Sequence, residues 1–226
     1  MKFDNTEKII ESNLDKFETF NNLLLERGKQ FNLTSIFDQK EVYAKHFYDS
    51  VYPYFLFEEN SKIVEVGSGG GFPSVPLKII RDDLKFTLIE ATKKKCIFLN
   101  EVKEALKFDN FDIINCRAEE VGKGDCRESF DYAVARAVAP LRSLVEYLLP
   151  LVKIGGMAVA YKGENYLKEI NEAKNAIKIL GGSIEKNIEY SLPNEYGSRC
   201  IIVIKKEKST PTKYPRGQGK EKKCPL

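Results

Sequence analysis

Apolar positions in the first part of the chain recur at helical spacing. Ile10, Leu14, Phe17, Leu24 and Leu25 fall near i, i+3/4 and i+7 steps, so EKIIESNLDKFETFNNLLLER predicts an amphipathic helix with Gly28 as its stop. A second helix is predicted over DQKEVYAKHFYDSVYPYFL, where Asp38 and Glu41 form a capping-box pattern and Pro53 marks a bend. From Lys62 onward the period changes. Short β-branched runs (KIVEV, KFTLIEA, FDIINCRA, FDYAVARA, GMAVAYKG, CIIVIKK and a weaker IEKNIEYSL) stand between the helical stretches SVPLKIIRD, KKKCIFLNEVKEALK, LRSLVEYLLPLVK and ENYLKEINEAKNAIKIL. Nearly continuous apolar strands separated by helices imply a mostly parallel sheet covered on both faces, a doubly wound α/β architecture. The last two strands have no helix between them, which predicts an antiparallel edge strand. The expected organisation is a helical extension over 1–60, a sheet domain over 61–206 and a tail over 207–226.

Composition adds limits. The 226 residues are 42% hydrophobic and 31% charged, enough for one sizeable core. No apolar run approaches the ~20 residues of a membrane span, and the start lacks a signal pattern, so cytoplasmic residence and no membrane partner are expected. Five scattered cysteines without a CxxC pair, and His46 as the one histidine, predict reduced thiols and no metal site. Charge is distributed unevenly. Residues 205–226 hold eight Lys or Arg against two Glu, so the preceding part of the chain is slightly acidic. A cationic tail points to a polyanionic partner, although a solubilising end has the same composition.

The candidate chemistry centres on IVEVGSGGGFPSVPLKII, where the first predicted strand runs into a glycine turn. In doubly wound sheets ligands sit beyond the carboxyl ends of the strands. A P-loop is excluded because Phe72 stands where its final Gly is needed and no Lys follows. A dinucleotide fingerprint begins well at Gly67 and Gly69 but meets the same Phe72 at its last position. The remaining pattern, an acidic residue followed by G-x-G-x-G, is met by Glu65, Gly67, Gly69 and Gly71. It is the first motif of Rossmann-like S-adenosylmethionine-dependent methyltransferases. Glu90 closes the second strand, where a carboxylate accepts hydrogen bonds from ribose hydroxyls of either cofactor type.

Beyond that motif, FNLTSIFDQKEVYAKHFYDSV, VEVGSGGGFPSVPLKI, LIEATKKKCIFLNEV, NCRAEEV, DYAVARAVAPL, MAVAYKG and TKYPRGQGKEKKCPL resemble the bacterial RsmG family, also called glucose-inhibited division protein B. The Asn-Leu-Thr, His-x-x-Asp-Ser and GFPSVPL elements are specific to that family. The resemblance implies a class I methyltransferase fold, S-adenosylmethionine as cofactor, and methylation of N7 of a guanine in 16S ribosomal RNA or the small subunit. It also implies cofactor contacts at Gly67, Phe72, Ala118, Glu119 and Arg136. Two departures stand out: Ser74 replaces a usual glycine, and in the tail Lys220-Glu221 replace Thr-Pro and Cys224 a lysine.

The residue types suit that chemistry. Guanine N7 has an in-plane lone pair and no proton to lose, so alignment rather than a general base supplies the acceleration. The sequence accordingly shows no histidine–carboxylate catalytic pair, no Asn-Pro-Pro-Tyr motif after the fourth strand and no cysteine in a basic motif. Arg136, at the end of the fourth strand, suits a methionine carboxylate, an RNA phosphate or a structural ion pair. His46, among aromatic residues, suits an orienting role. Lys162 and Arg199 are candidates for RNA phosphates. Lys213 and Arg216, interleaved with Tyr214, prolines and glycines, suggest a flexible phosphate-gripping arm. A monomer is the default expectation. Two other readings stay open on residues alone: a nicotinamide-dependent oxidoreductase and a non-catalytic RNA-binding protein.

Overall fold

β1 (Lys62–Val66) is buried at every position but its first, as a strand with helices on both faces must be. In the computed structural model, which describes residues 5–226, it is the third strand of one seven-stranded sheet. The others are β2 (Lys85–Ile89), β3 (Phe111–Ile114), β4 (Phe130–Arg136), β5 (Val152–Lys162), β6 (Gly182–Ser191) and β7 (Ser198–Lys206), in the order β3-β2-β1-β4-β5-β7-β6. The first five pair in parallel, with Glu65 in register with Leu88 on one side and Val134 on the other. β7 runs antiparallel to both β5 and β6. The single antiparallel strand thus lies one place in from the rim, which β6 forms. The chain crosses from β5 to that rim through α9 (Tyr166–Ile179), and β7 returns to fill the gap. Strand order reverses between β1 and β4, which makes their carboxyl ends the topological switch point.

Alternation along the strands feeds two apolar layers. Ile63, Phe86, Leu88, Val134 and Val159 face one layer, with α5 (Ser74–Ile80) and α6 (Lys93–Leu106). Val64, Val66, Ile89, Ala133 and Ala135 face the other, with α8 (Leu141–Leu148) and α9. A short α7 (Ala118–Val121) follows β3.

The N-terminal helices differ from expectation in three ways. The first four residues of the expected extension lie outside the described residues. The predicted first helix is two, α1 (Thr6–Glu11) and α2 (Leu14–Phe31), because Ser12 and Asn13 turn their side chains back onto the carbonyls of Lys8 and Ile9. Gly28 is not the stop: α2 continues to Phe31 and closes on Asn32 in the left-handed conformation. A Cβ at Gly28 would stand 2.9 Å from the Phe37 ring, so this glycine serves a close approach. The second predicted helix comprises α3 (Gln39–Val42), a π-helical stretch (Tyr43–Tyr48), α4 (Asp49–Val51) and a 3₁₀ turn (Tyr52–Leu56). Asp38 caps its start, accepting the Glu41 N–H at 3.0 Å. Phe17, Phe20, Leu24 and Phe47 join the same apolar layer as Phe72 and Phe98, so the extension shares the sheet's core.

The tail is not a loose arm. Tyr214 is buried in the second layer, and the Arg127 guanidinium donates to the carbonyls of Thr210 and Tyr214 at 2.6 and 2.8 Å. The segment ends in a single helical turn, α10 (Lys220–Lys223).

Candidate active site

The glycine turn after β1 has Gly67, Gly69 and Gly71 at φ of +70°, +53° and +86°, a region where side chains are strained. Two of these also answer to packing. A Cβ at Gly67 would lie 2.9 Å from Val138, and one at Gly71 would lie 2.6 Å from Val75 at the start of α5. Beneath the turn, Glu65 is fully buried and accepts the Ser74 N–H at 3.2 Å. Its other oxygen and the hydroxyls of Ser68 and Ser74 have no hydrogen-bond partner among the described residues. Burial pushes the Glu65 carboxyl up to about 8. Glu90 ties the turn to the end of β2: it accepts the N–H of Gly69 at 3.0 Å and of Thr92 at 2.7 Å.

Two cavities open at the switch point and share Val138 as a common wall. The smaller, about 320 Å³, is lined by Gly67, Glu90, Ala118, Glu119, Val138 and Tyr147, together with Gly219 and Lys222 of the tail. The larger, about 810 Å³, is lined among others by His46, Asp49, Arg136, Lys162, Glu169 and Arg199. Ala137, between Arg136 and Val138, sits at φ +57°, a conformation that costs a non-glycine residue energy and is common at functional sites.

A polar chain lines the larger cavity. Arg136 donates to Asp49 at 2.8 Å, to the Lys45 carbonyl at 2.9 Å and to His46 Nδ1 at 3.2 Å. His46 Nδ1 lies 3.2 Å both from the Arg136 guanidinium, which only donates, and from the Lys45 carbonyl, which only accepts, and Nε2 is paired with the Thr34 hydroxyl at 2.8 Å. Burial first, and the Arg136 charge second, lower the His46 pKa to about 3, so the ring is neutral. The ring stacks on Phe72 with centroids 4.5 Å apart. Asp49 also accepts the Tyr190 hydroxyl at 2.6 Å. Across the cavity Lys162 donates to the Ala139 carbonyl at 2.8 Å and to Glu169 at 2.7 Å, and the same Glu169 oxygen takes the Leu141 N–H at 2.6 Å.

Of the residues expected from sequence, Gly67, Glu90, Ala118 and Glu119 gather around the smaller cavity, and His46, Arg136, Lys162 and Arg199 around the larger. Others do not. Gly69 and Gly71 shape the turn without lining either cavity. Phe72 is buried among Phe20, Phe47 and His46, with Arg136 4.9 Å above its ring, so it supports the site from behind. Arg216 is held away from both: it makes three side-chain bonds of 2.7 to 3.2 Å to the fully buried Glu146. Lys213 is exposed, 5.2 Å from the Tyr214 ring. Sequence reading missed Asp49, Val138, Glu169, Gly219 and Lys222. Only Asp49 left a signal, three residues after His46 in the His-x-x-Asp-Ser element.

A mostly parallel sheet with a carboxylate-floored glycine turn at its switch point defines the chain as a Rossmann-like methyltransferase. Solved structures agree in fold: TYW2 of M. jannaschii in complex with AdoMet has a TM-score of 0.57 at 16% identity, over 74% of this chain and 75% of that one. TYW2 of P. horikoshii in complex with MeSAdo gives 0.58 at 18% identity, over 75% and 63%. Within that class, residues 13–194 match the family model GidB, rRNA small subunit methyltransferase G. The ribosomal RNA small subunit methyltransferase G proteins of Staphylococcus aureus strains bovine RF122 / ET3-1 and Newman are 45% and 44% identical over 221 residues, 97% of this chain and 92% of each relative. The chain belongs to the rRNA small subunit methyltransferase G family. Among the described residues no helix is long and apolar enough to cross a membrane.

Proposed function

We propose that this chain transfers the methyl group of S-adenosylmethionine to N7 of a guanine in 16S ribosomal RNA. The observation that carries the reading is the pair of cavities meeting at Val138, one suited to a nucleoside and one polar enough for an RNA base. The smaller cavity fits the cofactor. Its volume lies near the lower end of the roughly 300–1,000 Å³ of small-molecule sites. Glu90 spends one lone pair of each oxygen on the turn, and a carboxylate has about four in all, so acceptors remain for two vicinal ribose hydroxyls. Gly67 lets the backbone approach, and Ala118 and Tyr147 supply apolar wall.

When bound, the cofactor supplies an electrophilic methyl group on a cationic sulfur. The chain's own residues align the acceptor and answer the charge that moves onto it. Lys162 has three N–H donors, two of them used, and Glu169 has one oxygen without a donor among the described residues. This neighbouring donor and acceptor complement guanine O6 and N1–H, and oppose the reversed pair of adenine. Asp49 and Glu169 stabilise the purine as it becomes cationic. Arg136, held by Asp49 and the neutral His46, is positioned two residues from Val138 for the methionine carboxylate or an RNA phosphate. Lys168 and Arg199, at the larger cavity, suit further phosphates. On this reading the enzyme works in the cytoplasm, where the small subunit is assembled, and as a monomer.

Mapping 7-methylguanosine in 16S RNA from cells with and without the protein tests the reading. Loss of one site on deletion, regained with the intact chain, is expected. Glu169→Gln should restore it poorly, with turnover lowered roughly 100-fold and S-adenosylhomocysteine affinity kept. An unchanged methylation map would refute the activity.

A further inference from the structure

The tail carries the strongest cationic bias of the sequence, yet its backbone runs along the smaller cavity. Its path is fixed, from beside the amino end of β4 to the cavity at the carboxyl ends of the strands. Thr210 donates its N–H to Glu128 at 2.7 Å and its hydroxyl to the Leu180 carbonyl at 2.8 Å. Pro215 packs on Gly122, where a Cβ would come within 3.2 Å of it. Lys123, just past α7, donates to the Arg216 carbonyl at 3.1 Å. Arg216 then clamps the buried Glu146, which neighbours the cavity residue Tyr147 on α8, and the buried Glu221 accepts the Gly217 N–H.

Every anchor up to Arg216 brings the next residues over the adenosine side. Gly219, at φ +74°, and Lys222 line the same cavity as Glu90, Ala118 and Glu119. We propose that residues 217–226 are a strap that completes the S-adenosylmethionine site: Gly219 and Lys222 form the outer wall over the nucleoside, and the tail's main work is cofactor retention rather than RNA capture. The inference rests on the cofactor reading above. The chemistry is consistent with it. Lys222 lines the same cavity as the carboxylates of Glu90 and Glu119, and a lysine's alkyl stem can cover a ring face that would otherwise meet water. Lys213, Lys220, Lys222 and Lys223 are all exposed, and of these four Lys222 alone lines the cavity.

Two measurements test it. Limited trypsin digestion of the full chain, followed by mass spectrometry, reports cleavage after Lys220, Lys222 and Lys223. Saturating S-adenosylhomocysteine should slow cleavage there several-fold while leaving cleavage at the exposed Lys174 and Lys178 of α9 unchanged. Equal rates with and without the ligand would overturn the strap. Calorimetric titration then compares the full chain, Lys222→Glu and a chain ending at Gly217, which keeps the Tyr214 and Arg216 anchors. Both variants should bind S-adenosylhomocysteine about tenfold or more weakly. Full-chain affinity in both, or weakened 16S RNA binding with cofactor affinity intact, would make the tail an RNA arm and refute the inference. A full chain that does not bind S-adenosylhomocysteine at all would instead refute the cofactor reading beneath it.

Discussion

At the scale of single residues, two buried titratable groups carry opposite pH signatures. Glu65 is raised to about 8, so between its unfolded value near 4.5 and about 8 the folded chain binds more protons than the unfolded one. Its contribution is fully present below pH 4.5 and is lost as pH rises through 8. Glu65→Gln should therefore remove a decline of up to about 1.4 kcal/mol per pH unit in that window. Urea unfolding of both proteins at several pH values reads the difference; parallel curves would contradict a protonated Glu65. His46 has the reverse sign: lowered from 6.5 to about 3, it gives stability that is present above 6.5 and fades as pH falls towards 3. As the one histidine, it offers an unambiguous nitrogen NMR signal. The expected spectrum is that of a neutral ring with no titration step between pH 5 and 8, and a midpoint near 6.5 would break the Thr34–His46–Arg136 chain. Neither shift was legible in sequence. Glu65 was visible as a motif acid and His46 as a lone ring among aromatics, but burial and partner geometry set their protonation.

At the scale of elements, periodicity located most strands and helices, since one pattern of 2 and one of 3.6 follow directly from where side chains point. It failed where local polar groups or close contacts intervene, as at Ser12, Asn13 and Gly28. The tail shows the same failure on a larger scale. Its lysines, prolines and glycines read as a mobile arm because composition registers charge and turn propensity, and says nothing of a buried carboxylate on a distant helix. Arg216 belongs to such a pair: Arg216→Ala strands the Glu146 charge in the interior and should cost about 3–5 kcal/mol in denaturant unfolding. Adding Glu146→Ala should recover much of that loss, as expected for a coupled pair. A near-neutral Arg216→Ala would show that the guanidinium is free for phosphate after all.

At the scale of the whole molecule, the N-terminal helices are continuous with the sheet core. Phe17, Phe20 and Leu24 of α2 are buried in one layer with Phe72, Leu88 and Val134. Denaturant unfolding should thus show a single transition, coincident by helix content and by tertiary aromatic signals, and removal of residues 1–31 should abolish it. A separate early transition would mean an independent extension. The order of elements, the glycine turn and the acids closing β1 and β2 were fixed by the sequence alone, because each is a local pattern of side-chain period, backbone freedom and strand end. Only the tertiary structure decided which charges remain available and which surfaces meet. It turned Arg136 towards Asp49 and Arg216 towards Glu146, made Val138 the wall between two cavities, and laid Gly219 and Lys222 beside Glu90. Those outcomes depend on contacts between residues far apart in the chain, and the energy of such a contact is set by desolvation and distance, which no stretch of sequence contains.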